Sequence, residues 1–70
     1  MMPLSMSDIG KVNIIKKVGG REDTRKFLET LGFVCGGEVK VVSKIGGNVI
    51  VNVKDSRVAI GMDIANKIMV

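Results

Sequence analysis

"KIGGNVIVNV", residues 44 to 53, sets a lysine and an isoleucine before a Gly-Gly-Asn hinge and then places valine at every second position. Glycine and asparagine accept the positive φ of a tight loop, and alternating apolar residues have the period of a strand. The stretch predicts a β-hairpin. With Gly46, Gly47 and Asn48 as the loop, Ile45 faces Val49, Ser43 faces Val51 and Val41 faces Val53. Val39, Val41 and Ile45 then share one face with Val49, Val51 and Val53, and a common apolar face fixes the register.

The pattern extends in both directions. "KDSR", residues 54 to 57, reads as a polar turn that places Val53 opposite Val58 and Val51 opposite Ile60. Upstream, "KVNIIKKV" (residues 11 to 18) offers Val12, Ile14 and Val18 to one side as a further strand. The tail "KIMV" supplies a short fifth strand, and "GMDIANK" before it reads as a single helical turn.

"EDTRKFLETLG", residues 22 to 32, changes period. Phe27, Leu28 and Leu31 fall on one helical face, and Glu22 and Asp23 sit in the first turn, where the helix dipole favours negative charge. Gly32 is the expected left-handed cap, with Phe33 folding back on Leu28. Five short strands cannot leave an apolar face open to water. Seventy residues have no second layer of helices to cover it. Rolling the sheet on itself solves the problem. The predicted architecture is mainly β, one domain over residues 1 to 70. It is a small SH3-like barrel of five strands, with one helix after the first strand and a helical turn before the last. Gly10, Gly36 and Gly37 suit its corners; the alternative is an open sheet under one helix.

Composition then removes whole classes of function. There is no histidine, and the single cysteine, Cys35, has no thiol to pair with. Transition-metal sites draw on imidazole, thiolate or clustered carboxylate. Cys35 reads as a small, half-buried apolar residue; its only route to a metal is a weak site shared within an oligomer. With no histidine to activate Cys35, and no base of the usual kind for Ser5, Ser7, Ser43 or Ser56, nucleophilic catalysis is not expected, and neither phosphate-loop pattern, G-x-x-x-x-G-K-[ST] or G-x-G-x-x-G, occurs. "VGGRED" before the helix reads as a plain loop. The expectation is a protein that is not an enzyme and carries no cofactor.

The net charge of +4 comes from scattered lysines, with only Lys16 and Lys17 adjacent, so it reads as solvated strand faces. With two phenylalanines and no tyrosine or tryptophan, the chain lacks the rings of a proline-ligand groove or a base-stacking groove. No nucleic-acid partner is expected; backbone contact with a duplex is the alternative left open. The apolar runs are too short to span a bilayer and "MMPLSMSDIG" is not a secretory signal, so no direct membrane insertion is expected. Protein contact remains. Strand parity turns Ile15, Val42 and Ile50 away from the core, either under the helix or onto a partner. Phe33 and Val34 follow the helix cap. The candidate partner residues are Phe33, Val34, Val42, Ile50 and Arg25, with weak self-association through an open strand edge as a further expectation. Gly10, Gly32, Gly36, Gly46 and Gly47 are the candidate turn and cap positions.

Three stretches, "PLSMSDIGKVNIIKKV", "LETLGFVCGGEVKVV" and "GGNVIVNVKDSRVAIGMDIANKIMV", resemble FeoA, the ferrous iron transport protein A family. Leu4, Ser5 and Gly10 match the family's opening, and Leu28, Leu31, Gly32, Gly36 and Val39 its middle. Ala59, Ile60, Ala65, Ile68 and Val70 match its end. Cys35 stands where the family usually has proline, and Ile60 replaces the commoner leucine. The resemblance implies an SH3-like accessory protein of the cytoplasm, at the inner face of the membrane through its partner. That partner would be the cytosolic part of the FeoB ferrous iron permease. The alternative is a regulatory module like the C-terminal domain of metal-dependent repressors.

Overall fold

Val39, Val41, Val49, Val51 and Val53 are all buried, as the alternation requires. They belong to two strands of a four-stranded antiparallel sheet in a computed structural model that describes all 70 residues. In chain order, the elements begin with a 3₁₀ turn at Leu4–Met6, followed by β1 (Val12–Ile14), β2 (Lys17–Val18) and helix α1 (Glu22–Leu31). There follow β3 (Glu38–Ile45), β4 (Asn48–Val53), β5 (Ser56–Gly61), α2 (Met62–Ala65) and β6 (Ile68–Met69). The sheet order is β1-β3-β4-β5, and β2 pairs with β6 in a second, two-stranded sheet. Met2 and Val70 exchange backbone hydrogen bonds at 2.9 and 2.8 Å, laying the N-terminus along the far side of β6. The result is the expected SH3-like barrel, left partly open, with the helix after β2 and the helical turn before β6.

The strand count is corrected from five to six because the expected first strand breaks. Ile15 leaves β3 and bonds instead to the turn before it: its N–H donates to Gly37 at 2.8 Å and its carbonyl accepts from Gly36 at 2.7 Å. Lys16 then donates to Met69 on the other sheet. This segment is the barrel's corner, and its parity is opposite to that expected. Asn13 and Ile15 face inward, Ile15 at 1% exposure, while Val12 and Ile14 lie outside. A buried asparagine disguised the inner face. Ile15 is therefore core, not a candidate contact.

Both hairpin registers are also corrected. The first loop has two residues, Gly46 and Gly47, so Ile45 pairs with Asn48, Lys44 with Val49 and Ser43 with Ile50. Gly46 alone takes a positive φ (58°), the signature of a II′ turn. Val42 is an extra residue, and beyond it Val41 pairs with Val51 and Val39 with Val53. That β-bulge flips the face of every side chain between it and the turn. Ile45 is thereby thrown outward, 66% exposed. Lys44 takes its place beside Val49, and its ammonium donates to the Ser5 and Ser7 carbonyls at 2.9 and 3.2 Å. The second loop, Lys54-Asp55, also has two residues, each with positive φ (49° and 64°), a I′ geometry. Val51 therefore faces Val58 and Val49 faces Ile60. The shift of two keeps the same residues inside.

Helix α1 ends as the sequence indicates. Gly32 is left-handed (φ 105°); its N–H donates to Glu29 at 3.0 Å and the Phe33 N–H donates to Leu28 at 3.0 Å. This is the Schellman arrangement. It drives Phe33 into the core, where it is fully buried. Phe27, expected on the packed face, is 61% exposed, and only Leu28 of that helix is buried. No helix of the protein is long and apolar enough to cross a membrane.

Candidate interaction face

The outer side of the four-stranded sheet is built by cross-strand pairing. Val12 lies opposite Lys40, Lys40 opposite Asn52, and Asn52 opposite Arg57. Directly opposed residues share a face, so one rung across all four strands reads valine, lysine, asparagine, arginine. Val12 is exposed, and its inward neighbour Asn13 shows that this face is turned from the core. The next rung places Ile14 opposite Glu38. Arg57 is steadied within the face, since its Nε donates to the Asn52 Oδ1 at 3.3 Å.

A groove of about 710 Å³ runs over this rung. It is lined by Val34 and Gly37, from the turn after α1, and by the Lys54-Asp55 loop. The tight I′ turn folds Lys54 back toward Gly32, where a β-carbon on the glycine would stand 2.9 Å from the Lys54 Cβ. The loop and the helix cap are thus locked together at the groove's end.

Of the five sequence-derived candidates, Arg25, Phe33 and Val34 come together around one recess beside α1, while Val42 and Ile50 lie on the strands. Phe33 is withdrawn from the surface altogether, because the cap hydrogen bond that closes α1 turns its side chain inward. Val34 is exposed and lines the groove. Ile50 and Val42 are half-buried, Val42 as the bulge residue. Arg25 lies on exposed α1, in a separate recess of about 400 Å³ with Val18 and Cys35. The Cys35 thiol donates to the Lys16 carbonyl at 3.1 Å. Gly10 and Gly36 turn the chain with positive φ, as Gly32 and Gly46 do; Gly47 does not.

Val12, Lys40, Asn52 and Arg57 escaped the sequence reading. Their signal lay in the polar positions between the alternating valines. With the registers first expected, however, Asn52 faces Ala59 and Lys40 faces Lys54, so the rung does not form. No three cysteine or carboxylate side chains gather into a group that could hold a metal ion.

The fold defines a small SH3-like module with an open groove on its outer sheet face. The model of the FeoA domain family matches residues 2–70, and the chain belongs to that family, which works in ferrous iron transport. It is 36% identical, over its whole length and 85% of the relative's, to a protein of Methanocaldococcus jannaschii described as Fe(2+) transport protein A. A crystal structure of an iron uptake regulatory protein, FeoA, matches it with a TM-score of 0.88 at 28% identity. That match covers 97% of this chain and 92% of the other. FeoA of Stenotrophomonas maltophilia, solved with zinc and described as an SH3 domain protein, matches with a TM-score of 0.84 at 27% identity. There the coverage is 99% of this chain and 88% of that one.

Proposed function

We propose that this chain is an accessory protein of ferrous iron uptake that acts by binding the cytosolic part of a FeoB-type ferrous iron permease. The observation that carries the reading is the FeoA match over residues 2–70, nearly the whole chain. Two features of the molecule support a binding role. Its core is filled by aliphatic side chains around one phenylalanine, Phe33, and its outer sheet face offers an open groove with charged and apolar residues side by side. The chain works on the cytoplasmic side, held at the membrane only through the permease, and leaves metal and nucleotide handling to that partner.

A pull-down with the immobilised cytosolic domain of the permease tests the proposal. Retention of the purified chain that scales with the domain's concentration is expected. No retention at high micromolar concentration would refute it.

A further inference from the structure

We infer that the groove over the Val12–Lys40–Asn52–Arg57 rung receives a short acidic segment of the partner protein. Carboxylates of that segment sit on Arg57, Lys40 and Lys54, and an aliphatic side chain lies between Val12 and Val34. The inference deepens the accessory-protein reading and rests on it for the partner's identity.

Charge is the first argument. The protein's two ion pairs, Arg21–Asp23 and Lys26–Glu22, both lie at the exposed start of α1. No carboxylate comes within the 4.0 Å of an ion pair at Lys40, Lys54 or Arg57, so three cations around one groove are left for an outside partner. Arg57 is also pre-positioned. Asn52 engages its Nε, and the two terminal nitrogens of the guanidinium have no partner within the protein. A guanidinium held by one nitrogen presents the rest of its planar fork to a carboxylate, the geometry that arginine recognises best.

Shape and apolar lining supply the second argument. About 710 Å³ is room for a few side chains. Val12 and Val34 expose aliphatic surface in the same groove, which a purely ionic ligand would leave wet.

Glu38 and Asp55 line the groove as well. They break the positive field, so a continuous row of phosphates would meet repulsion as well as attraction. No aromatic residue lines the groove to stack a base. A peptide whose few carboxylates fall between these two acids fits the face better than nucleic acid does.

The test uses the full chain with three probes. They are a short synthetic peptide alternating glutamate with leucine, the same peptide with lysine for glutamate, and single-stranded DNA. Binding of the glutamate peptide alone is expected, weakening as salt rises. The double variant Lys40→Glu/Arg57→Glu should lower its affinity on the order of tenfold or more. If charge reversal disturbs the fold by circular dichroism, Lys40→Gln/Arg57→Gln answers the same question. Equal binding of the lysine peptide or of DNA, or no binding of the glutamate peptide, overturns the inference. The cytosolic permease domain separates the two proposals. Tight binding of that domain to wild type and double variant alike sinks the acidic-segment inference and leaves the accessory role standing. Binding of the glutamate peptide in the groove without any binding of the domain does the reverse.

Discussion

The Asn13 side-chain amide donates a 2.5 Å hydrogen bond to the Ser7 hydroxyl, and both residues are buried. This contact ties the 3₁₀ turn at the N-terminus to the inner face of β1. It also explains how a polar residue occupies a core position of a strand: its donor is satisfied. Removing one partner leaves the other buried with only a long 3.4 Å contact, Asn13 Nδ2 to the Lys11 carbonyl or Ser7 Oγ to the Asp8 carbonyl. Ser7→Ala should therefore cost about 1–3 kcal/mol in denaturant unfolding. The double variant Ser7→Ala/Asn13→Val should recover much of that loss. Additive losses in the double variant would mean the two groups do not depend on each other.

Phe33→Ala tests the corrected place of this ring. A fully buried phenylalanine deleted from a core costs about 3–5 kcal/mol. For a chain of 70 residues that is a large part of a total stability of roughly 4–10 kcal/mol. Thermal unfolding should show a strongly lowered midpoint or no cooperative transition. A variant with an unchanged midpoint would return Phe33 to the surface.

Gly32 and Gly46 both have positive φ, but their surroundings differ. A methyl group at Gly46 meets nothing within 4 Å, whereas one at Gly32 meets the Lys54 Cβ at 2.9 Å. Gly46→Ala should cost about 1 kcal/mol, from backbone strain alone. Gly32→Ala should cost more, on the order of 2–3 kcal/mol, from strain and crowding together. Equal losses would show that the Lys54 loop moves freely away from the helix cap.

The Lys54-Asp55 turn carries two non-glycine residues at positive φ. A I′ turn prefers glycine at its second central position. Asp55→Gly should raise stability by about 0.5–1 kcal/mol in chemical denaturation, with the fold unchanged. A loss of stability would mean that the aspartate makes a compensating contact.

These residues also show what could be read from the chain and what could not. Alternating valines placed Val39, Val41, Val49, Val51 and Val53 inside, and a glycine after a helical period placed the cap at Gly32. Both signals are local. The bulge at Val42 has no local mark, because an extra residue in one strand shows only against the partner strand. That single insertion reverses Lys44 and Ile45. Likewise Asn13 conceals the inner face of β1, since its burial depends on Ser7, six positions away. Val34, read as a surface position because it follows the cap, is exposed and lines the groove. The rung formed by Lys40, Asn52 and Arg57 was not, because it exists only in the correct register of three strands.

The most direct test of a chain that works through its outer sheet face is a titration of the isotope-labelled protein with the cytosolic domain of the permease, followed by amide NMR shifts. Saturable changes confined to Val12, Val34, Lys40, Asn52, Arg57 and their neighbours are the predicted result. An unperturbed spectrum at high micromolar concentration, or changes centred on the α1 recess around Arg25 and Cys35, would contradict it.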